Sequence, residues 1–449
     1  MAFLGCPGGG ERVVSCAMRT ATAPAEFFSR NRENLRALLK PRSLVIIHAN
    51  DVMPTNADGV MAYRQNSDLY HLTGVAQEET ILLIATGLNA EPDDLEILFT
   101  RETNEQIAIW EGEKLTKEAA TAVSGIKRVE WTEAFEGQFH RLAPQCEHIY
   151  LLTNEHLRAA AVVETRNDRF IHQCRERYPL HRYERLAPLM HRLRMIKHDA
   201  EVEMLRKACE ITGNGFRRVL EFVKPGVGEW EVEAELLHEF VRSGSRGFAY
   251  QPIIGSGANA CALHYIENHG QCGDGEMLLL DVAAEYAGWN ADMTRTIPVN
   301  GRFTPRQREV YDAVLRVLRA TDELLRPGNT PSQLQKQVVQ LMEKELIGLG
   351  LIDAAEAARQ GPGRPLVTKY FMHGISHHLG LDVHDVAPPN EPFAPGMVFT
   401  IEPGIYIREE GLGVRLENDF LVGENGNIDL MAHIPIEAAE IEEIMQSAR

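Results

Sequence analysis

The sequence predicts two domains of different class: an α/β domain over residues 23–190, followed by an α+β domain over residues 191–449. In the first part, short apolar runs of strand type alternate with helical patterns, which is typical of α/β units. From about Arg194 the pattern changes to long amphipathic helices around two strand-rich segments. Residues 1–22 match neither pattern, and we expect them to form a disordered extension.

The elements of the first domain begin with a helical pattern over residues 26–39. Four short buried strands are predicted after it, and a further helical stretch covers residues 131–143. The strands have the sequences SLVIIHA, TILLIAT, LEILFT and HIYLLTN.

The second domain has four long helical patterns, over residues 199–223, 229–244, 304–325 and 331–349. Pro225-Gly226 ends the first of them, and the third begins with Thr304 as N-cap and Pro305 at the first helical position. The strand-rich segments cover residues 276–299 and 397–422.

Composition excludes several classes of function. The chain has 46 Lys and Arg residues and 64 Asp and Glu residues, which gives a formal net charge of -18. It also lacks a stripe of basic residues, so binding to nucleic acid or to an anionic membrane is not expected. No apolar run approaches the roughly 18 residues of a membrane span. The seven scattered cysteines include no CxxC pair, which favours a reducing compartment and a cytoplasmic location.

The strand-rich segment 276–299 carries an acid pair, Asp281 and Asp292. If residues 286–287 form the loop of an antiparallel hairpin, counting outward places Asp281 directly opposite Asp292. Directly opposed residues have Cβ atoms about 4.5–5.5 Å apart on one face of the sheet.

A second pair, Glu402 and Glu417, is opposed by the same count if residues 409–410 lie in the loop. Like charges opposed on a buried face are destabilising, so such a pair requires a protonated partner, a cation or solvent. Four carboxylates carry about the charge of two divalent ions, which leaves a hydroxide and one imidazole to complete the coordination shells. The alternative is that these are ordinary solvated acids on strands.

Histidines are concentrated in the segment FMHGISHHLGLDVHDV, which contains His373, His377, His378 and His384. His373 and His377 have the i, i+4 spacing of a zinc-binding helix, but Gly374 and Gly380 argue against a helix, so we predict a strand or a tight turn. His264 follows a glycine-rich turn at residues 255–259. The sequence has no GxSxG elbow, no GxxxxGK[ST] loop and no strand-linked GxGxxG.

Four motifs, in this order, resemble the pita-bread metallopeptidases, and within them the proline-specific aminopeptidase P group of family M24B: LLLDVAAEYAGWNADMTRTIPVNG, MHGISHHLGLDVHDV, TIEPGIYI and VRLEND. In the first half, RQNSDLYHLTG and IAIWEGEKL resemble parts of the N-terminal domain of that group. The resemblance covers residues 23–440 and implies an α/β N-terminal domain followed by an α+β pita-bread catalytic domain.

The resemblance also implies roles for individual residues. Two divalent metal ions, expected to be manganese, would be bound by Asp281, Asp292, His377, Glu402 and Glu417, with Asp292 and Glu417 bridging. Glu402, His264 and His384 would take part in catalysis, and the substrate would contact His264, His373, His384, Arg415, Tyr406 and Trp110, the last of these from a neighbouring subunit. Relatives of this kind form dimers or tetramers, so a homo-oligomer is expected.

The implied reaction is removal of the N-terminal residue from peptides with proline at the second position, by a hydroxide that bridges the two metals. A prolidase restricted to Xaa-Pro dipeptides is the nearest alternative. A creatinase-like enzyme would not need the metal ligands, and a non-catalytic binding protein of this fold would be expected to have lost some of them, whereas all five are present.

Overall fold

The structure is a computed structural model, and it describes residues 23–88, 95–159, 163–361, 363 and 365–448. The predicted extension over residues 1–22 lies outside the described residues.

The N-terminal part contains seven helices and six strands in the described residues. In chain order these are α1 (Ala25–Leu38), β1 (Ser43–His48), α2 (Ser67–Thr73), β2 (Ile81–Thr86), β3 (Glu96–Thr100), α3 (Glu105–Glu111), α4 (Lys117–Ser124), β4 (Arg128–Trp131), α5 (Phe135–Leu142), β5 (His148–Leu151), α6 (Arg166–Arg177), β6 (Arg182–Arg185) and α7 (Ala187–Met195).

The six strands form one mixed sheet of order β4-β3-β2-β1-β5-β6. Strands β1 and β2 are buried along nearly all their length, because helices cover both faces of the sheet, and this explains their continuous apolar sequences. The helical stretch predicted over residues 131–143 is present except for Trp131, which ends β4. Residues 132–134 form a 3₁₀ turn that leads into α5, and a second 3₁₀ turn begins at Ala143.

The second part contains the four predicted long helices and the two strand-rich segments. Its elements are α8 (Asp199–Phe222), α9 (Glu229–Arg242), β7 (Ile253–Ser256), β8 (Met277–Asp281), β9 (Glu285–Tyr286), β10 (Trp289–Asn290), β11 (Thr294–Pro298), α10 (Pro305–Leu324), α11 (Pro331–Gly348), α12 (Ala354–Arg359), β12 (Val398–Ile401), β13 (Gly404–Ile407), β14 (Leu412–Arg415), β15 (Asn418–Leu421), β16 (Ile428–Asp429) and α13 (Ala438–Ser447).

Local sequence signals set the ends of these helices. The Thr304 side chain accepts a hydrogen bond from the Gln307 amide, and Pro305 occupies the first helical position, so the predicted start of α10 is confirmed. Helix α8 ends at Phe222, shortly before Pro225-Gly226, as predicted.

The strands of the second part form several small sheets, which include β11-β8-β7, β12-β15-β16 and β13-β14, and the long helices pack against them around one large core. An α/β part followed by an α+β part confirms the predicted fold class. The boundary near residue 190 stays a prediction.

The two parts are joined by buried aromatic side chains of α1 and by the exposed Arg64. Phe27 and Phe28 of α1 lie in the core of the second part, where the Phe27 ring meets Trp289 edge to face at 6.2 Å. The Arg64 guanidinium donates to the carbonyl oxygens of Phe248 and Ala249, each at 2.9 Å. None of the helices in the described residues combines the length and the apolar composition that a membrane span requires.

Candidate metal centre

The first acid pair is diagonal rather than directly opposed. Strands β8 and β11 pair Asp281 with Thr294, not with Asp292. The turn of the hairpin falls at Ala287 (φ 51°) and Gly288 (φ 92°), because a two-residue turn of type I′ needs positive φ at both positions. The predicted loop at residues 286–287 was therefore wrong. Since the register shifts by two residues, Asp281 and Asp292 still project from the same face.

The second acid pair has the predicted register. The pairing is the same on both sides of the two acids, with Gly404 opposite Arg415 and Ile401 opposite Asn418. Glu402 therefore lies directly opposite Glu417, as predicted. The connecting loop at residues 408–411 ends in Gly411, whose φ of 59° suits glycine.

Thr294 joins the two hairpins. The Glu417 amide donates to the Thr294 carbonyl oxygen at 3.0 Å, and the Thr294 hydroxyl donates to Glu417 Oε2 at 2.7 Å. This contact brings Glu417 beside Asp292 and His377, and one potential ligand atom from each of these three residues lies within 4.8 Å of the others. Both acid pairs thus converge on one point.

His377 reaches this point from an extended segment, as predicted, and not from a helix. The His377 amide donates a hydrogen bond to the Thr400 hydroxyl, and the His377 carbonyl oxygen accepts one from the Thr400 amide in β12. The next residue, His378, forms an isolated antiparallel β-bridge with Phe399. The Nδ1 atom of His377 lies 3.0 Å from the carbonyl oxygen of His378, so it carries the proton. Nε2 is then free to act as a ligand, and it lies 3.4 Å from Asp292 Oδ2 and 3.9 Å from Glu402 Oε1.

The buried carboxylates of the centre need a nearby positive charge if they are to be ionised together. Burial raises the pKa of Glu402 to about 7 and that of Glu417 well above its usual value, and in both cases nearby carboxylates add to the effect. Burial acts to lower the pKa of His377, but hydrogen bonding to Asp292 and the charges of Glu402 and Asp292 raise it to about 9. Neighbouring carboxylates that cannot all ionise together are a common sign of a cation site.

Arg415 supports the centre from one side. Its guanidinium donates to Asp281 Oδ2 at 2.6 Å, to the Thr294 hydroxyl at 3.0 Å and to the Tyr406 hydroxyl at 2.8 Å. Because the Tyr406 hydroxyl accepts from Arg415, it can donate to His373 Nε2, 2.9 Å away. The result is one chain of hydrogen bonds from Asp281 to His373.

The three substrate-pocket histidines lie around the acids. His373 Nδ1 is 3.8 Å from Glu402 Oε2, and the His384 ring lies 4.1 Å from the ring of His377. His264 is exposed, but it is close enough to both His373 and His384 to add to the lowering of their pKa values that burial causes. Those pKa values fall to about 4 for His373 and about 3 for His384.

Trp110 lies apart from this group. It belongs to α3, which contains no buried residue, and its side chain is 83% exposed. The structure therefore brings together ten of the eleven predicted site residues and leaves Trp110 at the surface of the N-terminal part.

Four supporting residues were missed by the sequence interpretation. The Tyr250 hydroxyl donates to Asp281 Oδ1 at 2.6 Å, Thr294 joins the hairpins, and Asp419 Oδ2 accepts from the Asp292 amide at 3.1 Å. The fully buried Glu229 accepts from the amides of Ser256 and Gly270 and from the Tyr265 hydroxyl, and so holds the loop that carries His264. Only the position of Asp419, two residues after Glu417 on the same face, was visible in the sequence.

The donor set fits divalent metal ions. Carboxylate oxygens with one imidazole suit hard or borderline cations, and each carboxylate of the set has lone pairs left beyond its protein hydrogen bonds. The group formed by Asp292, His377 and Glu417 is the one potential metal cluster found in the described part of the chain.

Metal binding should stabilise the fold measurably. Adding Mn²⁺ to about 100 times its Kd should raise the free energy of unfolding by about 2.7 kcal/mol, or Tm by roughly 3 °C for a chain of this length, because the ion neutralises buried carboxylates of the native state. Differential scanning calorimetry with and without Mn²⁺ measures this effect, and Mn²⁺ with excess chelator is the control. An unchanged Tm would contradict the proposed fit.

Comparison with known proteins identifies the family. Residues 203–424 match the model of metallopeptidase family M24, and residues 28–150 match the aminopeptidase P N-terminal domain. The chain is 35% identical to the Xaa-Pro aminopeptidase of Escherichia coli over 94% of this chain and 98% of that protein. It is 32% identical to the Xaa-Pro aminopeptidase of Haemophilus influenzae over 95% of this chain and 98% of that protein.

A solved structure agrees in fold. Zinc-substituted E. coli aminopeptidase P in complex with product matches with a TM-score of 0.85 and 34% identity, over 96% of this chain and 100% of that chain. The predicted pita-bread architecture is thereby confirmed. Because 35% identity extends over nearly the full length of both chains and both domain models match, the chain belongs to the Xaa-Pro aminopeptidases of metallopeptidase family M24.

Proposed function

We propose that this metallo-aminopeptidase hydrolyses the bond between the N-terminal residue of a peptide and a proline at the second position. The observation that carries the proposal is the convergence of two acid pairs and His377 on one buried point, in a chain that belongs to the Xaa-Pro aminopeptidases. All five potential ligands are present, which argues against a purely binding role.

We propose that Asp281, Asp292, His377, Glu402 and Glu417 hold two divalent ions, with Asp292 and Glu417 bridging. Asp292 and Glu417 form the cluster with His377, while Asp281 and Glu402 flank it, and this supports the bridging assignment. Manganese suits such an oxygen-rich set. When bound, the metal pair lowers the pKa of a water molecule from 15.7 towards about 7 and so supplies a hydroxide for attack at neutral pH.

Glu402 is the proposed proton carrier. Its carboxylate accepts the proton released by the attacking water and passes it to the proline nitrogen as the peptide bond breaks. The short distance between the rings of His384 and His377 supports a role for His384 in stabilising the negative charge that develops on the carbonyl oxygen. His264, on the exposed side, orients the carbonyl or the residue after it.

Proline imposes a particular form of recognition. The scissile bond is a tertiary amide without an N–H, and the ring fixes φ near −65°, so a site recognises proline by shape rather than by a hydrogen bond to the scissile nitrogen. His373 is held by the buried Tyr406 hydroxyl, which Arg415 holds in turn, so the His373 ring is a rigid edge suited to this contact.

Substrate length tests this function. We expect Xaa-Pro peptides of three and five residues to be hydrolysed in the presence of Mn²⁺, and matched peptides with alanine at the second position to react about 100-fold more slowly, because the ring contact is lost. Chromatographic quantification of the released N-terminal residue measures both rates. Hydrolysis of the Xaa-Pro dipeptide alone would indicate a prolidase instead, and no hydrolysis of any peptide by the metal-loaded protein would favour a binding protein.

We further propose a homo-oligomer, either a dimer or a tetramer, in the cytoplasm. The exposed Ile109 and Trp110 on α3, at 80% and 83%, support an intersubunit contact that delivers Trp110 to a neighbouring substrate site. The five described cysteines are buried and unpaired, which supports a reducing compartment.

A further inference from the structure

An ionic cluster that is buried except at Asp382 lies between the N-terminal part and the loop that carries His384. Arg194, near the end of α7, is only 3% exposed and contacts three carboxylates. Its Nη1 donates to Asp68 at 2.8 Å, and its Nη2 donates to Asp382 at 2.7 Å and also to Asp385. Lys197 donates to the second oxygen of Asp385 at 2.8 Å. We call these five residues the Arg194 cluster.

The cluster ends next to His384. Asp385 directly follows that histidine, and both of its carboxylate oxygens are held, one by Arg194 and one by Lys197. Its amide donates to the carbonyl oxygen of His378 at 2.9 Å, beside His377. The backbone at residue 385 is thus fixed between the cluster and the segment that presents His377.

At its other end, the cluster is attached to the motif RQNSD of the N-terminal part. Asn66 caps α2 through the amides of Asp68 and Leu69, which fixes the direction of the Asp68 side chain. Ser67 donates to Asp382 at 2.7 Å, so the motif contacts the His384 loop directly as well as through Arg194.

Burying charges costs desolvation free energy, and well-packed apolar groups of similar size often stabilise a fold equally well. The presence of the Arg194 cluster therefore suggests that it fixes the relative positions of the segments that it joins. Stabilisation of a transition state requires a polar group to be held within about 0.5 Å of its productive position. The His384 ring contacts the exposed Arg158, whereas its backbone continues directly into Asp385 of the Arg194 cluster.

We propose that the ion pairs from Asp68 through Arg194 to Asp385 connect the N-terminal part of the protein to the His384 loop and fix the position of His384 relative to the proposed metal ligands. Arg194 and Asp68 are positioning residues and do not touch substrate. This inference rests on the role proposed above for His384 in catalysis.

Two variants weaken these ion pairs at different residues. Arg194→Lys keeps the charge but loses the fork that spans three carboxylates, and Asp68→Asn keeps the shape but removes the charge at the N-terminal end. Arg32→Lys is the matched control. Arg32 is equally buried, at 1% exposed, and it bonds to Glu96 and two carbonyl groups within the N-terminal part without contacting the His384 loop.

Hydrogen–deuterium exchange tests the positioning without reference to activity. Amides of residues 379–386 should exchange faster in Arg194→Lys and in Asp68→Asn than in the parent, and at the parental rate in Arg32→Lys. Unchanged exchange in both cluster variants would overturn the proposal, whether or not the protein proves to be a peptidase.

A double-mutant cycle tests the consequence for catalysis. With saturating Mn²⁺, Arg194→Lys should lower kcat on an Xaa-Pro tripeptide by about 10-fold with little change in KM or in metal content. In a His384→Ala background the same substitution should lower kcat by less than about 2-fold, since the residue it positions is gone. Equal losses in both backgrounds, or an equal loss in Arg32→Lys, would overturn the proposal. Full activity of His384→Ala alone would remove the proposed role of His384 and this inference with it.

Discussion

Asp292→Asn should lower kcat/KM for an Xaa-Pro peptide by at least about 1,000-fold, a loss of about 4 kcal/mol in transition-state stabilisation. Asp292 lies at the centre of the acid set, with Oδ2 at 3.4 Å from His377 Nε2, and it is only 5% exposed. An amide at this position cannot supply the charge of a bridging carboxylate. One or both metal ions should therefore be lost, while the fold is retained because the new side chain has the same shape.

The measurement combines the peptide assay with metal analysis by mass spectrometry on the same sample. Asp274→Asn is the matched control, because Asp274 is an exposed acid whose carboxylate accepts a hydrogen bond from Asn300 and which does not belong to the candidate ligand set, although it lies only seven residues before Asp281. We expect the control to keep parental activity and metal content. Activity of Asp292→Asn at the parental level with Mn²⁺ would remove Asp292 from the proposed ligands.

Glu402→Gln should separate binding from chemistry. The proposed role of Glu402 is to carry a proton from water to the leaving nitrogen, and a glutamine oxygen can approach a cation but cannot accept that proton. At saturating Mn²⁺ we expect kcat to fall by about 100- to 10,000-fold, the usual range for loss of a general acid or base, with KM changed much less.

Steady-state kinetics over a series of Mn²⁺ concentrations measure this effect. Glu410→Gln, at the tip of the same hairpin, is the control, because Glu410 pairs with Arg306 at the surface and does not belong to the candidate ligand set. If the loss in Glu402→Gln disappears as Mn²⁺ is raised, Glu402 serves only as a ligand and the proton-carrier role fails.

The two hairpins show what strand counting from the sequence can and cannot predict. For Glu402 and Glu417, the symmetric count gave the observed register, because the loop REEG lies evenly about the midpoint of the pair. For Asp281 and Asp292 the count was wrong by two residues. Gly288 was the available signal, since a tight turn needs positive φ and glycine adopts it most readily, so the turn centres on residues 287–288.

The fold class and the existence of two acid pairs could be predicted, because the first follows from apolar periodicity and the second from strand alternation. The convergence of both pairs with His377 was implied only by the resemblance to the family. Tyr250, Thr294 and Arg194 could not, since their roles depend on contacts between segments far apart in the chain. Arg194 and Asp385 are separated by 191 positions, and no local pattern indicates that they meet.

The unbroken register through Glu402 and Glu417 has a consequence for protein engineering. Because β12 and β15 hold the same alignment as β13 and β14, the acids are fixed by pairing on both sides, and the tip at residues 408–411 is not needed to keep them opposed. Exposed loop tips are the places where inserted sequence is best tolerated. A fluorescent label carried on a loop inserted between Glu409 and Glu410 would therefore report on substrate docking at this hairpin without changing the alignment of Glu402 and Glu417.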